Sequence, residues 1–374
     1  MSKSSEPGGR LETLLKFLER DPNNLSLMTD IVDAALQQQA PEVARDILDR
    51  YASKAALPER EQNLRGLALL QLGDFENGAR AFQDLLSNGS DDPSLRFNLA
   101  WCLASLHQPG EALALLREPD FVALPQAAAL YVHLLHDLGR IEDALPEAKR
   151  LVDMHPDHRG LLAAASMVGI DSEDLQFAAL CAQRAPGHPD ALSTLGTIAL
   201  SEDRGPDAAA FFGQALEKDP QSPRAIIGMG LTEMLNGRHA QAAADIERGA
   251  TIFGDHLGSW VAAGWAYIFV GDLAQARRCF ETALAIDHNF GETYGSLAVL
   301  DLMEGRIEEA RREAQTARRL NAESFSAALA NAMLLSSNGK PDQARAILDR
   351  ALHTPLDSSG RTIAQSLARH GLSL

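Results

Sequence analysis

Cysteine is scarce. Cys102, Cys181 and Cys279 are the only three in 374 residues, and they stand at least 79 residues apart with no pair at metal-ligand spacing. A disulfide framework and a cysteine-ligated metal centre are thereby excluded, and the three read as packed, reduced thiols. No apolar run approaches the roughly 18 residues that cross a bilayer, so membrane insertion is not expected. The opening stretch Met1 to Gly9 is polar and lacks the apolar core of a signal peptide, which makes the cytoplasm the expected compartment. Basic residues are also short, 34 against 51 acidic ones for a net charge of −17, and only 6 of the 34 are lysine. Binding to nucleic acid needs clustered cations, so that class of partner is set aside. The densest basic run, Arg306, Arg311, Arg312, Arg318 and Arg319, interleaves with Glu308, Glu309 and Glu313. It reads as a solvated helix face held by pairs three or four apart, an anionic partner being the alternative. Nucleophile elbow, phosphate loop and dinucleotide fingerprint are all missing. No catalytic residue, cofactor or metal ion is expected.

Glycine, by contrast, is placed with a period. Gly237, Gly271, Gly305 and Gly339 stand 34 residues apart, each followed five residues on by an alanine: Ala242, Ala276, Ala310 and Ala344. Self-similarity at that period marks an array of helix pairs whose apolar faces are covered only by stacking on neighbours. From Trp260 the chain runs through Gly264 to Tyr267, then to Ala276 and Phe280; two repeats earlier Leu192, Leu195, Gly196, Ala208, Phe212, Ala215 and Pro220 give the same pattern. Small residues such as Gly196, Gly230, Gly264, Ala208, Ala242 and Ala276 let two helices approach, while Trp260, Tyr267 and Phe280 fill the space beside them. In these residues the chain resembles the tetratricopeptide-repeat family. The resemblance implies an all-α fold, a right-handed superhelical solenoid of antiparallel helix pairs.

Carried along the chain, this frame starts repeats at Leu25, Glu59, Pro93, Pro125, Arg159, Pro189, Pro223, Leu257, Gly291 and Phe325. The spacing is 34 residues except for 32 before Pro125 and 30 before Pro189, where curvature is expected to change. The expected organisation is a disordered terminus over 1–10, degenerate repeats over 11–188, regular repeats over 189–358, and a capping helix and tail over 359–374. Leu14 and Phe17 belong to an N-terminal half repeat, and Ile363 and Leu367 face inward from the cap.

In tetratricopeptide arrays the first helix of each repeat lines the concave side. The resemblance thus singles out one stripe as partner-binding: Ile227, Leu231, Met234, Leu235, then Val261, Trp265, Ile268, Phe269, then Val299, Leu302, Met303, then Leu329 and Met333. It is apolar throughout and lies beside the face of Trp260, Gly264 and Tyr267, so Trp265 and Phe269 are expected to be free of consensus packing. Such a groove accepts the apolar face of an amphipathic helix. Neighbouring helices, the C-terminal segment 354–374 or a second copy of the chain are the other occupants. Two functions remain open: a scaffold or chaperone-like adaptor, similar to the cytoplasmic tetratricopeptide chaperones of bacterial secretion, and a structural or self-associating subunit of a larger assembly such as secretion or pilus machinery.

Two other constellations are weighed. The family's carboxylate clamp uses Lys, Asn and Arg, whereas the matching positions here are Asn63 and Leu67, Phe97 and Trp101, and Ala129 and His133, without lysine. A polar surface over Arg60, Asn63, Gln71, Asn98, Ser105, His133, His136 and Asp137 remains as a second candidate. His133, His136 and Asp137 with His107 carry too little pattern for zinc, and His155 and His158 fall in a turn between repeats.

Overall fold

The computed structural model describes residues 7–355 and 362–365; among them are twenty-two α-helices, a further helical stretch over 363–365 and no β-strand, one isolated bridge between Pro355 and Thr362 aside. The chain forms two compact units, Met1–Val168 and Gly169–Leu374. In the first, the order is α1 (Pro7–Arg20), α2 (Leu25–Gln37), α3 (Pro41–Ala52), α4 (Glu59–Gln71), α5 (Phe75–Ser87), α6 (Pro93–Ser105), α7 (Pro109–Leu115), α8 (Glu118–Ala123), α9 (Pro125–Asp137) and α10 (Ile141–Met154). The division falls inside α11 (Arg159–Asp171). The second unit continues with α12 (Leu175–Arg184), α13 (Pro189–Ser201), α14 (Gly205–Lys218), α15 (Pro223–Leu235), α16 (His239–Phe253), α17 (Leu257–Val270), α18 (Leu273–Ile286), α19 (Gly291–Met303), α20 (Ile307–Leu320), α21 (Phe325–Ser337) and α22 (Pro341–Leu352).

All ten repeat starts read from the sequence are the first residues of helices, from Leu25 of α2 to Phe325 of α21. Each pair is joined by the same turn, in which one residue adopts a left-handed backbone. Six of the ten are glycines (Gly73, Gly139, Gly237, Gly271, Gly305, Gly339), and the others are Gln39, His107, Glu173 and Asp203, with φ between 55° and 60°. His107 is therefore a turn residue. The half repeat is α1, which buries Leu18 against Met28, Ile31 and Val32 of α2. The segment 1–10 expected to be disordered overlaps α1 from Pro7 onward, and residues 1–6 lie outside the described residues, as does most of the expected capping helix, Leu367 included.

In six of the pairs, the helices lock through an exchange of volume. Gly66, Gly196 and Gly264 on first helices lie under the rings of Phe82, Phe212 and Phe280 on second helices, and Gly230 lies under Ile246. An added Cβ at Gly196 would come within 2.7 Å of the Phe212 ring, and one at Gly230 within 2.6 Å of Ile246. Where the first helix carries Val132 or Ala298 instead, the second answers with Ala148 or Ala314, all four buried.

The third repeat departs from this scheme because its second helix is split into α7 and α8, Leu116 and Arg117 taking extended backbone between them. A buried ion pair fixes α8. Asp120, fully buried, accepts from Arg96 of α6 at both Nε (3.0 Å) and Nη2, and from the backbone N–H of Arg117 at 3.3 Å. His155 donates through Nε2 to the Phe121 carbonyl at 2.5 Å, and Arg150 pairs with Glu118 at 2.8 Å. His158 accepts from the Leu161 N–H at 3.1 Å and caps α11, so both histidines of that turn have structural work.

At the other end, α21 closes on α19. Gly295 lets the α21 backbone come so near that an added Cβ would stand 2.6 Å from the Ala327 nitrogen. Ser324 Oγ donates to Glu292 Oε2 at 2.6 Å, and Ser326 donates its N–H to Oε1 at 3.2 Å. Ala298, Val299, Ala330 and Leu334 form the core of this contact, with Leu302, Leu329, Met333 and Trp265 packed against it.

Three outcomes follow. Asp120→Ala leaves the buried Arg96 with Asp91, at 2.5 Å, as its remaining carboxylate, and is expected to lower stability by about 2–3 kcal/mol, below the full cost of an unpaired buried charge, with part of it recovered on adding Arg96→Met; urea unfolding of the two variants measures this, and a cost under about 1 kcal/mol would contradict the account. Gly295→Leu forces α21 off α19, so hydrogen exchange in α21 and α22 should rise, while unchanged exchange there would show the contact to be dispensable. Burial pushes the thiols of Cys102 and Cys181 up to about 11 and that of Cys279 up to about 12. At pH 8 the native protein should therefore react with no equivalent of a disulfide reagent and the denatured protein with three; one rapid native equivalent would refute this.

Candidate functional site

The thirteenth position of the first helices distinguishes three repeats from the others. Along the second unit it is occupied by Asp171, Ser201, Leu235, Phe269, Met303 and Ser337, one per repeat. Asp171 is held in a two-point ion pair with Arg224, at 2.9 and 3.1 Å. The three apolar members are left open: Leu235 is 56%, Phe269 70% and Met303 45% exposed. They form a ladder across the ends of α15, α17 and α19, bracketed by Ser201 and Ser337.

Between the first two rungs lies a cavity of about 330 Å³. Leu231, Met234 and Leu235 of α15 wall one side, and Ala262, Trp265, Ala266 and Phe269 of α17 the other, with Ile246 of α16 at the base and Leu200 of α13 at the edge. Five of these nine belong to the stripe read from the sequence. Leu200, Ile246, Ala262 and Ala266 were missed, although two left a signal: Leu200 precedes Met234 by one repeat, and Ile246 stands where Phe212 and Phe280 stand in the flanking repeats. The smaller Ile246 leaves room above it that a phenyl ring would take.

The remaining stripe residues divide. Ile227 and Ile268 are half-buried and pack on the core of α16, α17 and α18, and Leu302 and Met333 are half-buried against α19 and α21. Val261 and Val299, expected in the groove, are buried at 8% and 3% exposure. For Val299 the cause is the closure of α21, which realises in that place the expected covering by neighbouring helices. Trp265 needs a second correction. It is half-buried, its ring meets that of Phe280 edge-on at 6.4 Å, and its Nε1 donates to Ser296 Oγ at 3.0 Å, so it belongs to the packing of α17 on α19 as well as to the cavity wall. The consensus face behaves as expected: Trp260 is buried with Nε1 donating to the Gly254 carbonyl at 2.7 Å, and Tyr267 donates to Glu247 at 2.5 Å. Burial and that carboxylate push the Tyr267 phenol up.

Charge near the ladder is neutralised internally. Beside Met303, the buried Asp301 is held by Arg277 at 2.5 Å and Arg306 at 3.0 Å, and Arg277 also reaches Glu304 at 2.6 Å. Burial pushes the Asp301 carboxyl up, against the opposing charge of Arg277. On α20, Arg311 and Arg312 pair with Glu308 and Glu309 at 3.6 and 3.1 Å, the solvated face that the spacing predicts.

The first unit offers polar surface. A cavity of about 840 Å³ between α3, α4 and α5 is lined by Arg45, Asp49, Arg65, Asp74, Arg80 and Asp84 among others. Its charges meet local partners, Arg65 with Asp49 at 3.0 Å and Arg45 with Asp46 at 2.9 Å. Asn63 and Arg60 line a smaller cavity of about 520 Å³ at the starts of α4 and α6, where Arg60 pairs with Asp33 at 2.6 Å. Phe97 and Trp101 stack at a tilt with centroids 6.1 Å apart. His133 lies 3.3 Å from Asp137, while His136 is largely buried. Burial would raise the Asp137 carboxyl, but the His136 hydrogen bond and the two imidazoles hold it below its usual range. Among the described residues no group of three or more such side chains is arranged to hold a metal ion.

Comparison with known proteins places this architecture. Models of the tetratricopeptide repeat match residues 63–121, 193–255, 257–290 and 297–360. Tetratricopeptide repeat protein 8 of Homo sapiens is 40% identical over 58 residues, 16% of this chain and 11% of that protein. Its Caenorhabditis elegans counterpart is 29% identical over 106 residues, 28% and 21% of the two chains. The matched segments thus span about a fifth or less of those relatives. Among solved structures, the Cut9–Hcn1 hetero-tetramer of the APC/C aligns over 92% of this chain and 83% of its own at 14% identity and a TM-score of 0.55. Human IFIT1, a dimer solved with m7Gppp-AAAA, aligns over 91% and 94% at 12% identity and a TM-score of 0.53. At such identities these two show the fold alone. With repeat starts, interlocking residues and family models in agreement over most of its length, the chain belongs to the tetratricopeptide repeat family.

Proposed function

We propose that this protein is a non-catalytic interaction scaffold that captures an apolar segment of another protein on the ladder of Leu235, Phe269 and Met303, with the cavity between α15 and α17 taking the principal anchor. Members of the family are typically non-catalytic and bind proteins or peptides, which supports the general role. One observation carries the specific one: at a position that is polar in the neighbouring repeats, three consecutive repeats hold large apolar side chains open to solvent beside an apolar cavity. Exposed apolar patches rimmed by polar groups mark interaction sites. Burying about 500 Å² of apolar surface gives a gross gain of roughly 12 kcal/mol at about 25 cal/mol per Å², and the costs of association and ordering bring the net to the micromolar range. Met234 and Met303 suit a surface that adapts to its ligand.

The variant that isolates this site is Phe269→Glu, since Trp265 also packs internally. Exposed as it is, Phe269 contributes little to the fold, and its replacement should shift stability by no more than about 0.5 kcal/mol. At a binding hot spot the same change costs about 2 kcal/mol or more, roughly thirtyfold in affinity. Affinity purification from an extract of the source cells, read by quantitative mass spectrometry, should retain with wild type a protein that Phe269→Glu loses. Identical partner lists would move the function to the polar first unit, and concentration-dependent self-association lost in the variant would make the ladder a contact between copies.

A further inference from the structure

The polar cavity of the first unit has an arginine on its floor at a place that belongs to the core in other repeats, and its charges do not all cancel. We infer that the space between α3, α4 and α5 is a second binding site, which takes a short extended peptide segment carrying one acidic and one basic side chain two residues apart.

Arg65 is the seventh residue of its first helix. In the other nine repeats that place carries no charge, and Ile31, Leu99, Ala165, Ala263 and Leu297 are buried there. The fourth residue is Gln62, where other repeats bury Met28, Leu162, Leu192 and Ile226. The packing these two places usually make is seen in α17, whose Trp260 and Ala263 share one core with Ile246 and Ala250 of the preceding α16. In α4 the Gln62 amide turns to the Leu57 carbonyl at 2.7 Å, and the Arg65 guanidinium reaches Asp49 of α3 at 3.0 Å. The Arg65 and Asp49 side chains are 44% and 52% exposed, and an ion pair so open contributes little to stability. The repeat therefore forfeits burial at Arg65 without an equal return. What it gains is a polar floor under a cavity of about 840 Å³, a size within the range of about 300–1,000 Å³ found for ligand clefts. A local rule broken without a structural gain is expected where a site is built.

Of the six charged side chains that line this cavity, four are engaged. Arg65 pairs with Asp49, and Arg45 pairs at 2.9 Å with Asp46, which does not line the space. Asp74 caps α5, accepting from the Asn77 N–H at 3.3 Å and from its side-chain amide at 2.8 Å. Arg80 donates to Asn77 Oδ1 at 3.3 Å, and among the described residues neither Arg80 nor Asp84 forms an ion pair. These two stand four residues apart on α5, about 6 Å along its axis. Their order, base before acid, is the less favourable one for pairing with each other. One guanidinium and one carboxylate are thus left for charges supplied from outside. Three arginines and three aspartates make the lining neutral as a whole, so a ligand of a single sign gains nothing overall and a ligand of both signs does. In an extended chain, side chains two residues apart face the same way at about 6.6 Å, close to the interval on α5. A segment small enough for the cavity is too short to hold a helix.

The test uses the full chain and fluorescent, end-capped peptides of six residues with Glu-Ala-Lys, Lys-Ala-Glu, Glu-Ala-Glu, Lys-Ala-Lys or Gln-Ala-Gln at the centre. Anisotropy titrations at low ionic strength should show a mixed-charge peptide binding at least fivefold tighter than the three others. Reversing one free charge should redirect the site: Arg80→Glu should prefer Lys-Ala-Lys, and Asp84→Lys should prefer Glu-Ala-Glu, with circular dichroism confirming that both are folded. Arg65→Leu, which restores the residue type of other repeats, should lose at least fivefold in affinity while its melting temperature holds or rises. Phe269→Glu should bind as wild type does, because the ladder belongs to the other unit. Equal binding of all five peptides, or binding of none, would overturn the site. A wild-type preference for a peptide of one sign would overturn the mixed-charge ligand. Preferences unmoved in the folded Arg80→Glu and Asp84→Lys variants would place the peptide elsewhere, and loss of binding in Phe269→Glu would place it on the ladder. Full affinity of Arg65→Leu together with a lowered melting temperature would make Arg65 a structural residue and refute its place in the site.

Discussion

An exchange of volume between the two helices, repeated in six of the pairs, underlies much of the structure. Where the first helix gives up its side chain, at Gly66, Gly196, Gly230 or Gly264, the second fills the gap with Phe82, Phe212, Ile246 or Phe280, and where the first helix carries Val132 or Ala298 the second carries Ala148 or Ala314. Interiors are packed closely enough that such sums must balance locally. The repeat can therefore drift in sequence while its dimensions hold. The one imbalance with a visible result is Ile246, a smaller residue at an aromatic position, and the cavity beside the ladder opens above it.

The same logic explains why the candidate face has the boundaries it has. At α15 and α17 the first helices stand far enough apart to leave the cavity between them, whereas at α19 and α21 Gly295 brings two first helices into backbone contact and the intervening apolar residues go to the core. The array seals its own face at the end and leaves it open in the middle. Apolar composition does not separate the two situations. The distance between neighbouring helices does, and one glycine sets it.

What could be read from the sequence follows from the same distinction. Repeat starts were legible to the residue, because prolines at helix starts and small residues after helix ends act locally and recur with the period. The rungs Leu235, Phe269 and Met303 were legible too, as apolar members of a periodic position. Val299, Leu329 and Met333 were assigned to a groove because their faces are right, yet the neighbour that covers them is fixed by a contact at Gly295 that no periodicity announces. Trp265 looked free of structural duty for a similar reason, since its hydrogen-bond partner Ser296 lies 31 residues away. The split of α7 from α8 was signalled only by a short spacing, the pair that secures it joining Arg96 to Asp120 across 24 residues.

The turns within the repeats carry a consequence for mechanics. A left-handed backbone costs a residue with a side chain roughly 1–2 kcal/mol, and glycine almost none. Gln39, His107, Glu173 and Asp203 bear that load, whereas the turns that follow α15, α17, α19 and α21 are all made by glycine. The helices that present the ladder thus end in joints at rest, and strain is confined to other repeats. Three side chains that share one exposed face are carried by helices whose joints hold no left-handed side-chain residue, so any shift of this face draws on no strain stored in its own turns.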